Sequence, residues 1–221
     1  MANQAVALVD TADVPAHLDL SSSRGNENVG ANITIPRIKQ LQKMSNECDK
    51  HHPQHIKGAE PGMFCNTGTG ELYGEEIYAI SINFTTAFKV WRAIEAGGGI
   101  VGEYPTLAEA NQAIEEAEGD NGNYSANETH THLLMLKDPK TGELSSPALM
   151  DFAVSKLSVS KRWNTQIQMK GGDRFAALWK LSTVAVTSKA GNQYLNIDIE
   201  ALGWAQKADY DVAAELYKAH A

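Results

Sequence analysis

The chain reads as a mainly β, α+β domain: an OB-like five-stranded barrel with an acidic helical insertion and a C-terminal helix. Three observations lead there. Glu76–Phe84, Thr129–Lys137, Ala148–Val154, Arg174–Val186 and Gln193–Ala201 alternate or run apolar with strand spacing. One helical stretch, Leu157–Met169, falls just before the last two strands, the element order of an OB barrel. From Glu103 to Glu128 seven acids stand without a Lys or Arg, an excursion placed where an insertion between two strands would sit. Other small barrels share the pattern.

In chain order, residues 1–31 are rich in Ala, Asp, Ser, Asn and Gly and are expected to form a flexible arm, with Ala5–Val9 able to pair as a short strand. A single domain then spans 32–221. Ile33–Pro36 is an extended entry, because Pro36 biases Ile35 away from helix. Arg37–Met44 offers Ile38, Leu41 and Met44 on one face, a short helix. Phe64–Tyr73 reads as a hairpin turning at Thr67–Gly70.

In Glu76–Phe84, Tyr78, Ile80, Ile82 and Phe84 share one face. Phe88 and Val90 continue toward the core, with Lys89 and Trp91 opposite them. Gly97–Gly99 marks a turn or bulge. Thr106 caps a helix to Glu118 with Leu107, Ala110, Ala113 and Ile114 inward, inside an insertion of about 103–128. Asp138–Gly142 is a turn, Val159, Trp163 and Ile167 form the stripe of the next helix, and Ala190–Asn192 turns the last hairpin. A final helix covers about 207–220.

Charge is unevenly distributed. The chain carries a formal net charge of −8 with pI near 5.3, so it is not a generally basic nucleic-acid binder. Between Lys156 and Lys189, however, seven cations face Asp173 alone. A polyanion is the leading explanation for such a block; a solvated face is the plain one. No apolar run reaches the ~20 residues of a membrane span. The first twenty residues lack the basic start of a secretory signal, and two cysteines make no disulfide framework, so a reducing cytosol is expected.

A single-strand binder needs flat rings for bases and Lys or Arg for phosphates. Trp91, beside Lys89 and Arg92, is the best stacking candidate. Lys161 and Arg162 flank Trp163, which lies on the apolar stripe and divides evenly between core and platform. Strand parity places Arg174 and Lys180 outward and Trp179 inward, and Tyr194 outward beside Asn196.

Cys48, His51, His52, His55 and Cys65 hold enough soft ligands for zinc, but their spacing matches no paired knuckle, and no metal or cofactor is assigned. His130 and His132 share a strand face without an evident third ligand. There is no GxSxG, P-loop or placed GxGxxG, so no enzymatic activity is expected.

Ile35-Pro36-Arg37-Ile38 with Leu41-Gln42, Gly58-Ala59, Cys65-Asn66, Thr69-Gly70-Glu71, Trp163-Asn164, Asp173-Arg174-Phe175, Leu178–Leu181 and Gly203-Trp204 form an ordered set. Over about 33–217 this set resembles tailed-bacteriophage OB-fold single-stranded-DNA-binding proteins. The resemblance implies sequence-independent coating of single strands during phage replication and recombination, in the cytoplasm of the infected bacterium. Single-stranded DNA and phage replication proteins would be the partners, with no membrane; oligomeric state stays open, a homodimer included. The implied groove holds Lys89, Trp91, Arg92, Lys161, Arg162, Arg174 and Lys180. The chain departs from that pattern at its end, Leu216–Ala221, which lacks an acidic tail. A non-enzymatic structural or interaction protein of a phage complex is the alternative, and a zinc-binding module the third option.

Overall fold

A single 17-residue strand, β4 (Glu76–Arg92), organises the domain. The computed structural model describes residues 34–117, 123–188 and 191–220, except the side chain of Ile94. Contacts divide the chain into Met1–Thr34 and Ile35–Ala221, and every element below belongs to the second unit. The arm expected over 1–31 and the tips of the acidic loop and last hairpin lie outside the described residues.

β4 is rich in β-branched and aromatic residues and pairs along most of its length with β6 (Tyr124–Leu136). Its other edge is shared: Glu76–Ile80 pairs with β8 (Ala177–Thr187), and Phe88–Trp91 with the short β5 (Ile100–Tyr104). β7 (Ala148–Ala153) lies outside β6, and β9 (Gln193–Trp204) outside β8. The sheet therefore runs β7-β6-β4-β8-β9 with β5 as a branch, antiparallel throughout.

Among the described residues β7 and β9 do not pair, so a closed five-stranded barrel is not seen. The segment entering β1 (Ile38–Gln40) lies across that gap. Leu149 N donates to Pro36 O at 2.8 Å on the β7 side. On the β9 side, Gln40 Nε2 donates to Asn196 O at 2.8 Å and Gln42 Nε2 to Leu195 O at 3.2 Å. β1 is thus a strand, not the short helix expected over Arg37–Met44. It pairs with β2 (Phe64–Asn66), which pairs with β3 (Leu72–Gly74), the expected hairpin. Ile38 and Gln40 are buried while Met44 is 93% exposed, so backbone pairing overrode the helical spacing.

Helices cover both sides of the sheet. α1 (Leu107–Glu116) starts as expected, with Thr106 Oγ1 accepting from Glu109 N at 3.2 Å, and packs against β4, β5 and β6. α2 (Leu157–Lys170) puts Val159, Trp163 and Ile167 against Phe152, Trp179, Leu181 and Ile197. It ends at Gly171, whose φ of 77° favours glycine. α3 (Lys207–His220) brings Ala213, Tyr210 and Leu216 to Ile80, Ile82, Met135 and Phe175 on the sheet's other side. No helix among the described residues is long and apolar enough to cross a membrane.

Two parity expectations fail for identifiable reasons. The register shifts between Ser81 and Asn83, so Ile80 lies opposite Met135 but Phe84 lies opposite His132. That bulge sends Phe84 to the α2 side, away from Tyr78 and Ile80. Likewise β8 begins only at Ala177, and Arg174–Ala176 form a 3-10 turn, so strand alternation does not aim Arg174 outward.

Candidate nucleic-acid interface

The cations expected to line one furrow lie on different parts of the fold, most of them beside a carboxylate. Lys89 is 1% exposed, its Nζ 2.9 Å from Asp151 Oδ2 and 3.7 Å from Glu103. Asp151 also accepts from Arg37 at 2.6 Å and from Thr131 at 2.7 Å. Lys89 is a buried structural cation. Trp91, on the same sheet face, is 38% exposed and opposite Ile100, with Arg92 beside it half-buried.

On α2, Lys161 reaches Glu128 at 3.5 Å and Arg162 reaches Asp198 at 2.7 Å; both are exposed. Lys180 pairs with Glu200 at 2.9 Å and faces Tyr78, near the opposite end of β4 from Lys89. Tyr194 is half-buried on β9. Trp163 and Trp179 are core. The seven cation and ring positions of the implied groove therefore do not converge.

Arg174 instead heads a buried polar chain that periodicity did not reveal. Its Nε donates to Ser81 Oγ at 2.9 Å and its Nη2 to Asn164 Oδ1 at 2.6 Å and His132 Nδ1 at 3.1 Å. Because His132 Nδ1 accepts, its Nε2 carries the hydrogen and donates to Ser160 Oγ at 2.8 Å. Ser160 then donates to His130 Nδ1 at 2.9 Å, leaving His130 Nε2–H for Glu128 Oε1 at 2.9 Å. Every link of this chain pairs a donor with an acceptor.

Burial first, then the Arg174 guanidinium and the neighbouring His130, hold His132 well below its ordinary pKa of 6.5. Burial also pushes the Arg174 guanidinium down to about 10. Trp163 stacks on His132 with centroids 4.5 Å apart, and Phe84 meets both imidazoles edge-on. Acid, imidazole and hydroxyl follow one another as in a general-base pair, but Ser160 has no exposed surface. This chain ties α2 to β6. The alternating Thr129-His130-Thr131-His132 set the imidazoles on one face; only the fold supplies Ser160 and Arg174.

Sequence reasoning also passed over Trp204, the last residue of β9. It is 62% exposed, and Lys170 Nζ lies 4.2 Å from its ring centroid. Further along the α2–β9 boundary a groove of about 300 Å³ is lined by Ser158, Arg162, Val184, Val186, Asn196 and Asp198.

The model of the Pam3 phage gp34-like protein family matches residues 4–221. The chain belongs to that family. No curated protein and no solved structure matches it. The family membership supports a bacteriophage origin.

In this gp34-like chain two of the histidines weighed for zinc, His52 and His55, make other contacts. His55 Nδ1 lies 3.0 Å from Glu47 O, and His52 Nδ1 accepts from Gln54 N at 3.1 Å. Burial raises the Cys65 thiol to about 11 and raises Cys48 as well. Among the described residues no three His, Cys, Asp or Glu side chains gather as a metal site.

Proposed function

We propose that this phage protein binds single-stranded DNA, without sequence readout and without catalysis, on an OB-type scaffold. The observation that carries the reading is the strand order. Opened at its seam, an OB fold runs 3-2-1-4-5, with its first strand paired to the second and fourth and a helix between the third and fourth. β4, β6, β7, β8 and β9 occupy places one to five in that order, and α2 follows β7. β5 and α1 then form an insertion between the first and second strands.

The charges fit if binding exchanges partners. Exposed ion pairs are worth roughly 0–1 kcal/mol, so phosphate oxygens can replace Glu128 and Asp198 around Lys161 and Arg162 on α2. Lys89, Arg174 and Trp163 contribute to the fold and not to this exchange. Coating of single strands in the infected cell, alongside replication proteins, is the corresponding role.

The test is titration of the full chain with labelled oligo(dT) at two salt concentrations. Binding that weakens as salt rises is expected, since each phosphate contact releases counterions. Absence of binding at low salt overturns the proposal.

A second reading rests on a separate observation. Trp91, Ile100, Val101 and Leu107 are all exposed on or beside β5, a short edge strand. That surface suits a protein partner. An interaction protein would give a stable homomer or complex in light scattering and no oligonucleotide binding.

A further inference from the structure

We infer that the bound strand runs along the boundary between α2 and β9, with Trp204 and Lys170 as its stacking and phosphate contact; this rests on the single-strand reading above. Trp204 is the most exposed tryptophan, at 62% against 38% for Trp91, while Trp163 and Trp179 are buried. Trp204 is left open at the end of β9, and among the described residues Lys170 has no carboxylate partner. An exposed indole under an unneutralised ammonium offers a flat face and a positive charge within one side-chain length, matching a base and its phosphate.

The pair is not isolated. Arg162 lies two turns earlier on α2, ~12 Å away at 1.5 Å per residue. Both cations reach across to β9, Arg162 to Asp198 and Lys170 to Trp204. A few nucleotides of extended strand cover that distance. The groove at the Arg162 end continues the line toward the β8–β9 turn, with Val184 and Val186 as an apolar wall and Ser158 at its rim. Asp198, the acid on this path, stands in an exposed pair, so phosphate can take over Arg162 and leave the carboxylate to accept from a base N–H. An OB fold ordinarily uses the face of its second and third strands; here the corresponding outer face holds the buried Lys89–Asp151 pair.

The experiment compares Trp204→Ala, Trp204→Phe, Lys170→Gln and Trp91→Ala with the parent by oligo(dT) anisotropy, each checked for an unchanged melt. Losing the indole should weaken binding roughly 5- to 150-fold, the range for one stacked base, and Phe should restore most of it. Lys170→Gln should reduce the log–log salt slope by about 0.7, one single-strand phosphate. A parent that binds while Trp204→Ala and Lys170→Gln bind equally well overturns the placement, as does a loss confined to Trp91→Ala. A parent that does not bind fails the function itself, a distinct result.

Discussion

Acid should unfold this protein through His132, and the size of the effect follows from its surroundings. In the unfolded chain the imidazole takes a proton near pH 6.5. In the folded chain it is sealed between Trp163 and Phe84, and its Nδ1 accepts from the Arg174 guanidinium at 3.1 Å. The folded state therefore stays neutral well below 6.5, and the unfolded state holds the extra proton. Stability from this group is complete above pH 6.5 and is lost as pH falls toward the folded pKa, at about 1.4 kcal/mol per pH unit. By pH 5 the loss can reach at most about 2 kcal/mol. His132→Gln is the control, since its amide can donate to Ser160 and accept from Arg174 but takes no proton. Urea midpoints for both proteins from pH 7.5 to pH 5 measure the difference, because other groups titrate alike in each. The wild type should lose more than the variant over that range, by up to about 2 kcal/mol. Parallel curves would refute the reasoning and mean that His132 is protonated in the fold.

Three further outcomes follow from buried or exchanged charge. Lys156 is pushed down to about 8, first by burial and then by Lys39, so Lys156→Met should stabilise by about 1–2 kcal/mol at pH 7. That advantage should shrink between pH 8 and 10.5 as the wild-type ammonium gives up its proton, which thermal melts across that range can follow. Asp151→Ala leaves the Lys89 ammonium only Glu103 at 3.7 Å and should cost about 2–3 kcal/mol in urea unfolding, whereas Lys89→Met should cost much less; equal costs would refute the pairing. Oligo(dT) binding by the parent should weaken with salt, and Arg162→Gln should flatten that dependence.

Much of the strand order was legible because it is written in local pattern. The alternation in β6, the apolar faces of β8 and β9, the Thr106 cap and the Trp163 stripe of α2 each needed only neighbours within one turn or one strand. What failed depended on partners far along the chain. β1 has three residues, too few for any period, and is a strand because Asn66 and Phe64 pair with it. Arg174 left its expected face because a 3-10 turn precedes β8. The block of seven cations looked unopposed because Glu128, Asp198 and Glu200, which neutralise Lys161, Arg162 and Lys180, lie outside it in sequence. Counting charges along a chain sees sequence neighbours; Coulomb's law acts on spatial ones.

The open seam bears on where a ligand can lie. A sheet whose end strands do not pair must protect its backbone groups or use them. On β9, the Leu195 and Asn196 carbonyls are occupied by the amides of Gln42 and Gln40. From Asp198 to Trp204 no strand continues that edge among the described residues, and α2 packs beside it. Arg162 and Asp198 guard one end of this stretch with charge, as an edge that must not pair would. The other end has Trp204 exposed beneath Lys170, which does little to deter association. Protection alone accounts for the first arrangement and not the second, so the Trp204 end is the part of the edge best suited to a ligand.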